Sequence, residues 1–266
     1  MMQNSVLCLG IDPNPIFQSF ENFQVSVKRH QEAVRLLTPH LKQKILKINL
    51  AFFLSFGSKG IALLEEFTHE FKNEFTIILD GKFGEITNSL KAYLHFVFET
   101  LGAHGVTINP FLGENTLRLA FETCVDKVGE KGRVYVLCVT SEGSTSTLAY
   151  LQENWRNKLN ACQEIRDEVF AQQENLKKCA GIVIGANKEE ILFSEEVKES
   201  GLSLLCPGLG VQGGSFDLLK KCQQMPNEFI FPLSRSIFDG GNISPAQVQS
   251  HFIQIQPYFE ENHVSN

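Results

Sequence analysis

The feature that most constrains this chain is a regular alternation of short apolar runs with amphipathic segments, repeated along nearly the whole sequence. Apolar runs without polar alternation are typical of strands buried on both faces, as in parallel sheets. Segments with a 3.6-residue period predict helices, which connect one parallel strand to the next. We predict strands at residues 6–11, 44–49, 76–80, 105–109, 134–140, 180–185, 203–206 and 229–233, with helices at residues 24–37, 58–73, 88–101, 114–128, 154–173, 188–200, 215–223 and 245–260.

Eight strand-helix units favour a closed α/β fold, a single (β/α)8 TIM barrel that covers residues 1–266 as one domain. The sequence has no linker, low-complexity tract or internal repeat that divides it. Its 266 residues, 43% of them hydrophobic, are sufficient for a large core. Because barrels of this class carry their active sites at the C-terminal ends of the strands, polar residues at strand ends are the first candidates for function.

Charge and cysteine usage exclude several classes of protein. A net charge of −6 argues against a nucleic-acid-binding surface, which needs concentrated Lys and Arg. The N-terminus lacks a signal-like segment and no stretch offers about 18 uninterrupted apolar residues, so we expect a cytoplasmic protein without a membrane contact. The seven cysteines form no C-x-x-C pair and the seven histidines no H-x-x-x-H pair, which predicts reduced, mostly buried thiols and no metal site.

An acid and a base follow the third predicted strand. The apolar run ends at Asp80-Gly-Lys82. Because side chains at positions i and i+2 of an extended chain point the same way, Asp80 and Lys82 are predicted to leave the strand end together. An exposed ion pair contributes little to stability, and burying one costs desolvation free energy. The pair is therefore either a solvated ion pair in a surface loop or part of a charged functional site.

Longer segments give this strand end a more specific interpretation. The string Asp80-Gly-Lys82-Phe-Gly-Glu85-Ile86 resembles the D-x-K-x-x-D-I motif of the orotidine 5′-phosphate decarboxylase family. LKINLAFF at residues 46–53 resembles the K-P-N-x-A-F-F segment of that family's second bacterial subgroup. Further matches follow in the family's order at residues 7–13, 106–113, 137–141, 207–214 and 234–237. The resemblance implies decarboxylation of orotidine 5′-phosphate to uridine 5′-phosphate in de novo pyrimidine synthesis, without a metal or organic cofactor.

The resemblance also implies roles for individual residues. Lys82 is the implied proton donor, and Lys47 and Asp80 complete the charged array around the reacting carbon. Asp12 matches the acid that binds ribose. The other implied contacts are Ser141 beside the base, Gln212 between base and phosphate, and Ile86 and Ser89, which enter from the partner subunit with the last acid of the motif, Glu85. A homodimer with shared active sites is therefore expected.

Residues 208–213, GLGVQG, formally match G-x-G-x-x-G, the fingerprint of a Rossmann nucleotide-binding turn. That fingerprint normally opens the first unit of a domain, whereas here it falls in the seventh. In a barrel, the loops after strands 7 and 8 commonly bind phosphate through backbone N–H groups and a helix N-terminus, and we predict that Ser215 begins such a helix. The predicted phosphate-binding residues are Gly213 and Arg235, with Pro207 and Ser234 as neighbouring substrate contacts.

The chain departs from the family pattern at residue 85, where Glu replaces Asp and moves the carboxylate by roughly 1.5 Å. A misplacement of about that size can lower a rate on the order of 100-fold. One alternative is therefore a catalytically impaired nucleotide-binding paralogue. Another is a sugar-phosphate decarboxylase of the same superfamily, but those enzymes bind magnesium partly through an acid on strand 2, where Lys47 disfavours a cation. Smaller departures are Ile48 for Pro, Ser89 for Thr, Val139 for Arg, and SEGST at residues 141–145.

Overall fold

The structure, a computed structural model, describes residues 4–13, 19–141, 154–210, 213–239 and 244–260. Its strands are β1 (Ser5–Ile11), β2 (Ile45–Asn49), β3 (Thr76–Phe83), β4 (Gly105–Ile108), β5 (Arg133–Val139), β6 (Ala180–Ile184), β7 (Ser203–Leu205) and β8 (Phe229–Leu233). Each strand pairs in parallel with the next, and β8 pairs with β1 to close the barrel. The predicted (β/α)8 TIM barrel is confirmed.

Helices surround the barrel. They are α1 (Phe20–Leu37), α2 (Leu50–Leu54), α3 (Gly57–Phe71), α4 (Thr87–His95), α5 (Glu114–Val128), α6 (Trp155–Val169), α7 (Glu189–Leu192), α8 (Glu195–Ser200), α9 (Leu218–Cys222), α10 (Arg235–Phe238) and α11 (Pro245–Glu260). Short 3-10 turns occur at Thr38–His40, Pro110–Leu112, Gly129–Lys131 and Glu174–Cys179, and a π-helical turn, Phe96–Thr100, continues α4. None of the helices described is both long and apolar enough to cross a membrane.

Local capping explains two differences between the predicted and observed helices. The helix predicted at residues 188–200 is divided into α7 and α8, because the Ser194 side chain accepts the Val197 N–H and starts a new helix. The short helix α2 was not predicted. It begins directly after β2, where the Asn49 side chain accepts the Ala51 N–H in the same way.

The core has two parts. The larger part packs the outer faces of the strands against the helices, whereas the smaller part fills the inside of the barrel. Tyr135 is fully buried in this inner part, and its hydroxyl lies 3.2 Å from the hydroxyl of Ser203. The residues of the inner part are Val6, Cys8, Ile45, Ile78, Tyr135, Val183, Leu205 and Ile230. These side chains fill the inside of the barrel, and two of them, Val183 and Leu205, also border the open space at its C-terminal end.

All seven cysteines are buried free thiols, as the sequence predicted. Burial is the main cause that raises the pKa of each one, and it raises those of Cys8 and Cys222 to about 12. The remaining five are Cys124, Cys138, Cys162, Cys179 and Cys206. These thiols belong to the core and carry little thiolate at neutral pH.

One histidine takes part in the pairing of β3 and β4. The Ile77 N–H donates to His104 Nδ1 over 3.2 Å, and the His104 N–H donates to the Ile77 carbonyl over 2.8 Å. Burial lowers the pKa of His104, and the nearby cations Lys131 and Lys72 lower it further. The neutral ring is therefore the form that fits the fold, because a protonated Nδ1 cannot accept the N–H.

We predict that the free energy of unfolding decreases as the pH falls below about 6.5, and that His104→Asn weakens this dependence. The unfolded chain protonates this ring at a higher pH than the folded chain does. The stabilisation is thus complete above the unfolded pKa and is lost as the pH falls through the folded pKa. Asn retains an acceptor near Nδ1 but does not titrate. Urea unfolding between pH 5 and pH 8 tests this, with the exposed His95→Asn as control; parallel losses in both variants contradict it.

Candidate active site

A cavity of about 500 Å³ opens at the C-terminal ends of the strands. Its volume is in the range of small-molecule sites, and its place is where barrel enzymes carry their active sites. A cavity at the opposite end, between β1 and α11, measures about 50 Å³, too little for a nucleotide. The larger cavity is lined by Gly10, Asp12, Lys47, Asn49, Asp80, Lys82, Thr107, Leu137, Thr140, Ser141, Val183, Leu205, Pro207, Gly208, Leu209, Pro232, Ser234, Arg235 and Ser236.

Four charged side chains alternate in sign across this cavity. Lys47 Nζ lies 3.8 Å from Asp12 Oδ1 and 3.0 Å from Asp80 Oδ2. Lys82 Nζ lies 2.7 Å from Asp80 Oδ1. The side chains of Lys47 and Asp80 are 8% and 11% exposed, whereas that of Lys82 is 50% exposed. The alternative of a solvated ion pair in a surface loop is therefore wrong for Asp80 and Lys82.

Two side chains of this row, Lys47 and Asp80, hold each other ionised. Burial by itself lowers the pKa of Lys47, but attraction to Asp80 and Asp12 outweighs it and the net pKa is raised. Burial by itself raises the pKa of Asp80, yet the ammonium groups of Lys47 and Lys82 bring the net pKa well below its ordinary value. Lys47 and Asp80 therefore both stay charged at neutral pH, and each lies next to a group of opposite charge.

The end of β3 is irregular, which is how its two charged residues both reach the cavity. The strand continues to Phe83, three residues beyond the predicted end, and its register against β4 shifts between Leu79 and Phe83. Lys82 has a φ of 49°, so the extended conformation assumed for the Asp80–Lys82 spacing does not persist. A Cβ atom on Gly81 would lie 2.5 Å from the Phe83 ring, so a larger residue at this position would have to displace that ring.

The predicted phosphate end lies in the same cavity. Pro207, Ser234 and Arg235 line it, and the chain after β7 turns back through Gly208 and Gly210, whose φ angles are 99° and 79°. The barrel excludes the Rossmann interpretation of these glycines. Gly213 is described but does not line the cavity, and Gln212 lies outside the described residues.

The helix that follows begins later than predicted. Ser215 does not start it; the Ser215 hydroxyl instead accepts the Asp217 N–H over 3.1 Å, and the five-residue helix α9 starts at Leu218. The prediction placed the helix too early because a Ser before an apolar run is a common helix start, but here its side chain closes a turn. Arg235 follows β8 closely, as expected, and begins the short helix α10, which was not predicted.

The segment that carries Glu85 is exposed and does not line the cavity of its own chain. Glu85, Ile86 and Ser89 are all exposed at the start of α4, and none of them lines the cavity in the described part of the chain. Ser141 does line it, and its backbone carbonyl accepts the Asn187 side-chain N–H over 2.9 Å. The rest of the predicted covering loop, residues 142–146, lies outside the described residues.

Several residues that line the cavity were not predicted from the sequence, and among them Thr107 has the most specific contacts. Its hydroxyl donates to Asp80 Oδ1 over 2.8 Å and accepts the backbone N–H of Lys82 over 2.9 Å. The available signal was a single hydroxyl residue in an otherwise apolar strand, which is too common to single out. Among the described residues, no group of three or more His, Cys, Asp or Glu side chains is placed to hold a metal ion.

Comparison with known proteins gives one consistent result. The family model described as "Orotidine 5'-phosphate decarboxylase / HUMPS family" matches residues 5–231. An orotidine 5′-phosphate decarboxylase from Dehalococcoides mccartyi is 31% identical over 211 residues, which cover 79% of this chain and 74% of the relative. The enzyme of the same name from Thermomicrobium roseum is 29% identical over 221 residues, 80% of this chain and 74% of the relative.

Solved structures with the same fold are more distant in sequence. The OMP decarboxylase of Leishmania donovani matches with a TM-score of 0.69 and 21% identity, covering 97% of this chain and 94% of that one. The orotidine 5′-monophosphate decarboxylase of Methanocaldococcus jannaschii, complexed with the inhibitor BMP, matches with a TM-score of 0.66 and 16% identity, covering 96% and 99%. At these identities the structures support the barrel fold.

The charged row leads to a prediction that does not rely on similarity to known proteins. Lys47→Met raises the pKa of Asp80 more than Lys82→Met does, because Lys47 is buried beside the carboxylate whereas solvent screens the half-exposed Lys82. Carboxyl ¹³C NMR of aspartate-labelled protein measures both shifts. Lys44→Met, at the other end of β2 and paired with Glu74, serves as control. A larger rise in the Lys82 variant contradicts the prediction.

Proposed function

The chain belongs to the orotidine 5′-phosphate decarboxylase / HUMPS family and is, like its curated relatives, a carboxy-lyase; from this premise we propose that it converts orotidine 5′-phosphate to uridine 5′-phosphate and carbon dioxide. The observation that carries the proposal is the alternating row of Asp12, Lys47, Asp80 and Lys82 in the cavity. The product is a pyrimidine nucleotide, and we propose that the reaction serves de novo pyrimidine synthesis.

The proposed chemistry uses the charges of this row. The bond between C6 of the pyrimidine and the carboxyl carbon breaks, its electron pair stays on C6, and carbon dioxide leaves. The Lys82 ammonium, 2.7 Å from Asp80 Oδ1, stabilises the charge on C6 and then donates a proton to it. Asp80 is kept ionised by Lys47, and its charge repels the substrate carboxylate, a repulsion that ends when neutral carbon dioxide forms.

The other cavity residues suit the remaining parts of this substrate. We assign the phosphate to the Arg235 guanidinium and to backbone N–H groups of the turn after β7. The ribose hydroxyls are assigned to Asp12 beside Lys47, and the base to the neighbourhood of Ser141. All of these residues line one cavity of about 500 Å³, which is large enough for a nucleotide.

We further propose a homodimer with shared active sites. Apolar side chains are exposed near the ends of β3 and β4, among them Ile86 (61% exposed) and Phe111 (81% exposed). Exposed apolar residues grouped in this way are typical of a protein–protein contact. In the proposed dimer this surface contacts a second copy of the chain. Glu85, Ile86 and Ser89 of each copy then complete the partner's site. The carboxylate of Glu85, on its longer side chain, takes the place of the family's Asp carboxylate.

The competing function, magnesium-dependent chemistry on a sugar phosphate, fits this cavity less well. Lys47 lies on β2 and lines the cavity, where such an enzyme needs an acid to bind the metal. A buried ammonium held charged by two carboxylates repels a divalent cation from that position. The catalytically impaired paralogue differs from the proposed enzyme in one measurable property, namely binding of uridine 5′-phosphate without turnover of the substrate.

We predict that the purified protein consumes orotidine 5′-phosphate with or without a chelator, and that Lys82→Ala lowers kcat by about a thousandfold because the proton donor is lost. The ultraviolet signal of the substrate measures the rate, and calorimetry with uridine 5′-phosphate shows that the variant still binds nucleotide. Lys44→Ala is the matched control, since Lys44 pairs with Glu74 outside the cavity. A wild-type protein that binds the product but does not turn over would instead identify the impaired paralogue.

We predict that Phe111→Glu converts the dimer to a monomer and lowers activity with it. A charge at the centre of an apolar contact is desolvated without a partner, and the separated subunits no longer supply residues to each other's sites. Sedimentation velocity and the decarboxylation assay at the same protein concentration test both effects. Ile253→Glu is the control, because Ile253 is 58% exposed on α11, away from this surface. A fully active monomer refutes the shared site.

A further inference from the structure

Thr107 is a buried hydroxyl residue of β4 that touches two members of the charged row. It is 1% exposed and lines the cavity beside Asp80 and Lys82. Its neighbours in the strand, Val106 and Ile108, are fully apolar. A hydroxyl in such a strand has to find partners, since a buried and unpaired polar group costs free energy.

The hydroxyl of Thr107 makes two hydrogen bonds, one as donor and one as acceptor. Its oxygen lies 2.8 Å from Asp80 Oδ1, and because an ionised carboxylate only accepts, the hydroxyl must donate there. The same oxygen accepts the backbone N–H of Lys82 over 2.9 Å. Thr107 therefore connects the Asp80 side chain to the Lys82 main chain, and the direction of its single proton is determined by the charge of Asp80.

The second of these bonds lies where the regular pairing of β3 and β4 is interrupted. Between Leu79 and Phe83 the β3–β4 register shifts, and Lys82 has a φ of 49°, a left-handed conformation that is unfavourable for a residue with a side chain. Regular pairing resumes where the Asn109 N–H donates to the Phe83 carbonyl over 2.8 Å. Within the irregular segment the Thr107 hydroxyl takes the Lys82 N–H, so it supports the strained backbone that places the ammonium group.

The hydrogen bond from the Thr107 hydroxyl to Asp80 Oδ1 fixes the orientation of the Asp80 carboxylate. Its Oδ2 atom accepts from Lys47 Nζ, whereas its Oδ1 atom is shared by Lys82 Nζ and the Thr107 hydroxyl. Without the hydroxyl, the carboxylate is held on that side by Lys82 alone, whose side chain is half exposed. We propose that Thr107 is a positioning residue for the decarboxylation: it keeps one oxygen of Asp80 on each lysine and keeps the Lys82 backbone in its strained conformation. This inference rests on the proposed function.

Thr107→Val tests the proposal, because valine has the shape of threonine and lacks the hydroxyl. We expect kcat to fall by about tenfold to a hundredfold, as for a misplaced catalytic group, with the affinity for uridine 5′-phosphate unchanged. Thr107→Ser keeps the hydroxyl and is expected to retain most of the rate. NMR should show faster hydrogen exchange of the Lys82 amide in the valine variant and not in the serine variant.

The control is Thr68→Val, which also removes a fully buried hydroxyl, here one that donates to the Glu65 carbonyl within α3. Thr107→Ala repeats the test without placing a methyl group against the carboxylate, should the valine variant fail to fold. An unchanged kcat in the folded variant, an equal loss in Thr68→Val, or no rescue by serine overturns the proposal. Inactive wild-type protein refutes the proposed function instead, while the exchange rates still decide whether Thr107 holds Lys82.

Discussion

The ammonium group of Lys47 is the constraint on which the cavity depends. Its side chain is 8% exposed inside a barrel of apolar strands, where an unpaired charge costs several kcal/mol. Asp80 and Asp12 compensate it, and their attraction more than offsets the cost of burial, since the pKa of Lys47 is raised. The ammonium group of Lys47 in turn lowers the pKa of Asp80. The ionised Asp80 carboxylate then holds the Lys82 ammonium group through an ion pair. The site is thus organised outward from one buried cation.

Closure of the parallel barrel brings this cation together with its partners. The C-terminal ends of all strands meet at one rim, so residues from β2, β3, β4 and β8 line one cavity although they are far apart in sequence. The inner layer around Tyr135 and Cys8 fills the inside of the barrel, and two of its residues border the cavity. Lys47 lies two residues after Ile45 of that layer on β2, where the apolar interior ends and the charged row begins.

Much of this arrangement could be predicted from the sequence, for identifiable reasons. Buried parallel strands are continuous apolar runs, so their number and order are visible, and the residue that ends such a run is at the rim. The end of β3 could not be predicted in detail, because the irregular conformation at Lys82 depends on contacts with β4, above all with Thr107. Ser215 and Ser194 show the same limit, because each is a plausible helix start in the sequence. In the structure Ser194 accepts the Val197 N–H and begins a helix, whereas Ser215 accepts the Asp217 N–H and closes a turn.

The buried thiols have a consequence for how the protein responds to oxidation. In the folded state every cysteine is buried with a raised pKa, so little of the thiolate that reacts with oxidants is present. Unfolding exposes all seven at once and returns them to ordinary reactivity. A chain whose cysteines are oxidised or cross-linked in the unfolded state cannot refold, because the modified side chains no longer fit the small apolar positions that the thiols occupy in the core. Oxidants therefore modify unfolded molecules irreversibly and leave folded ones intact. The lifetime of this protein under oxidative stress is governed by its rate of unfolding.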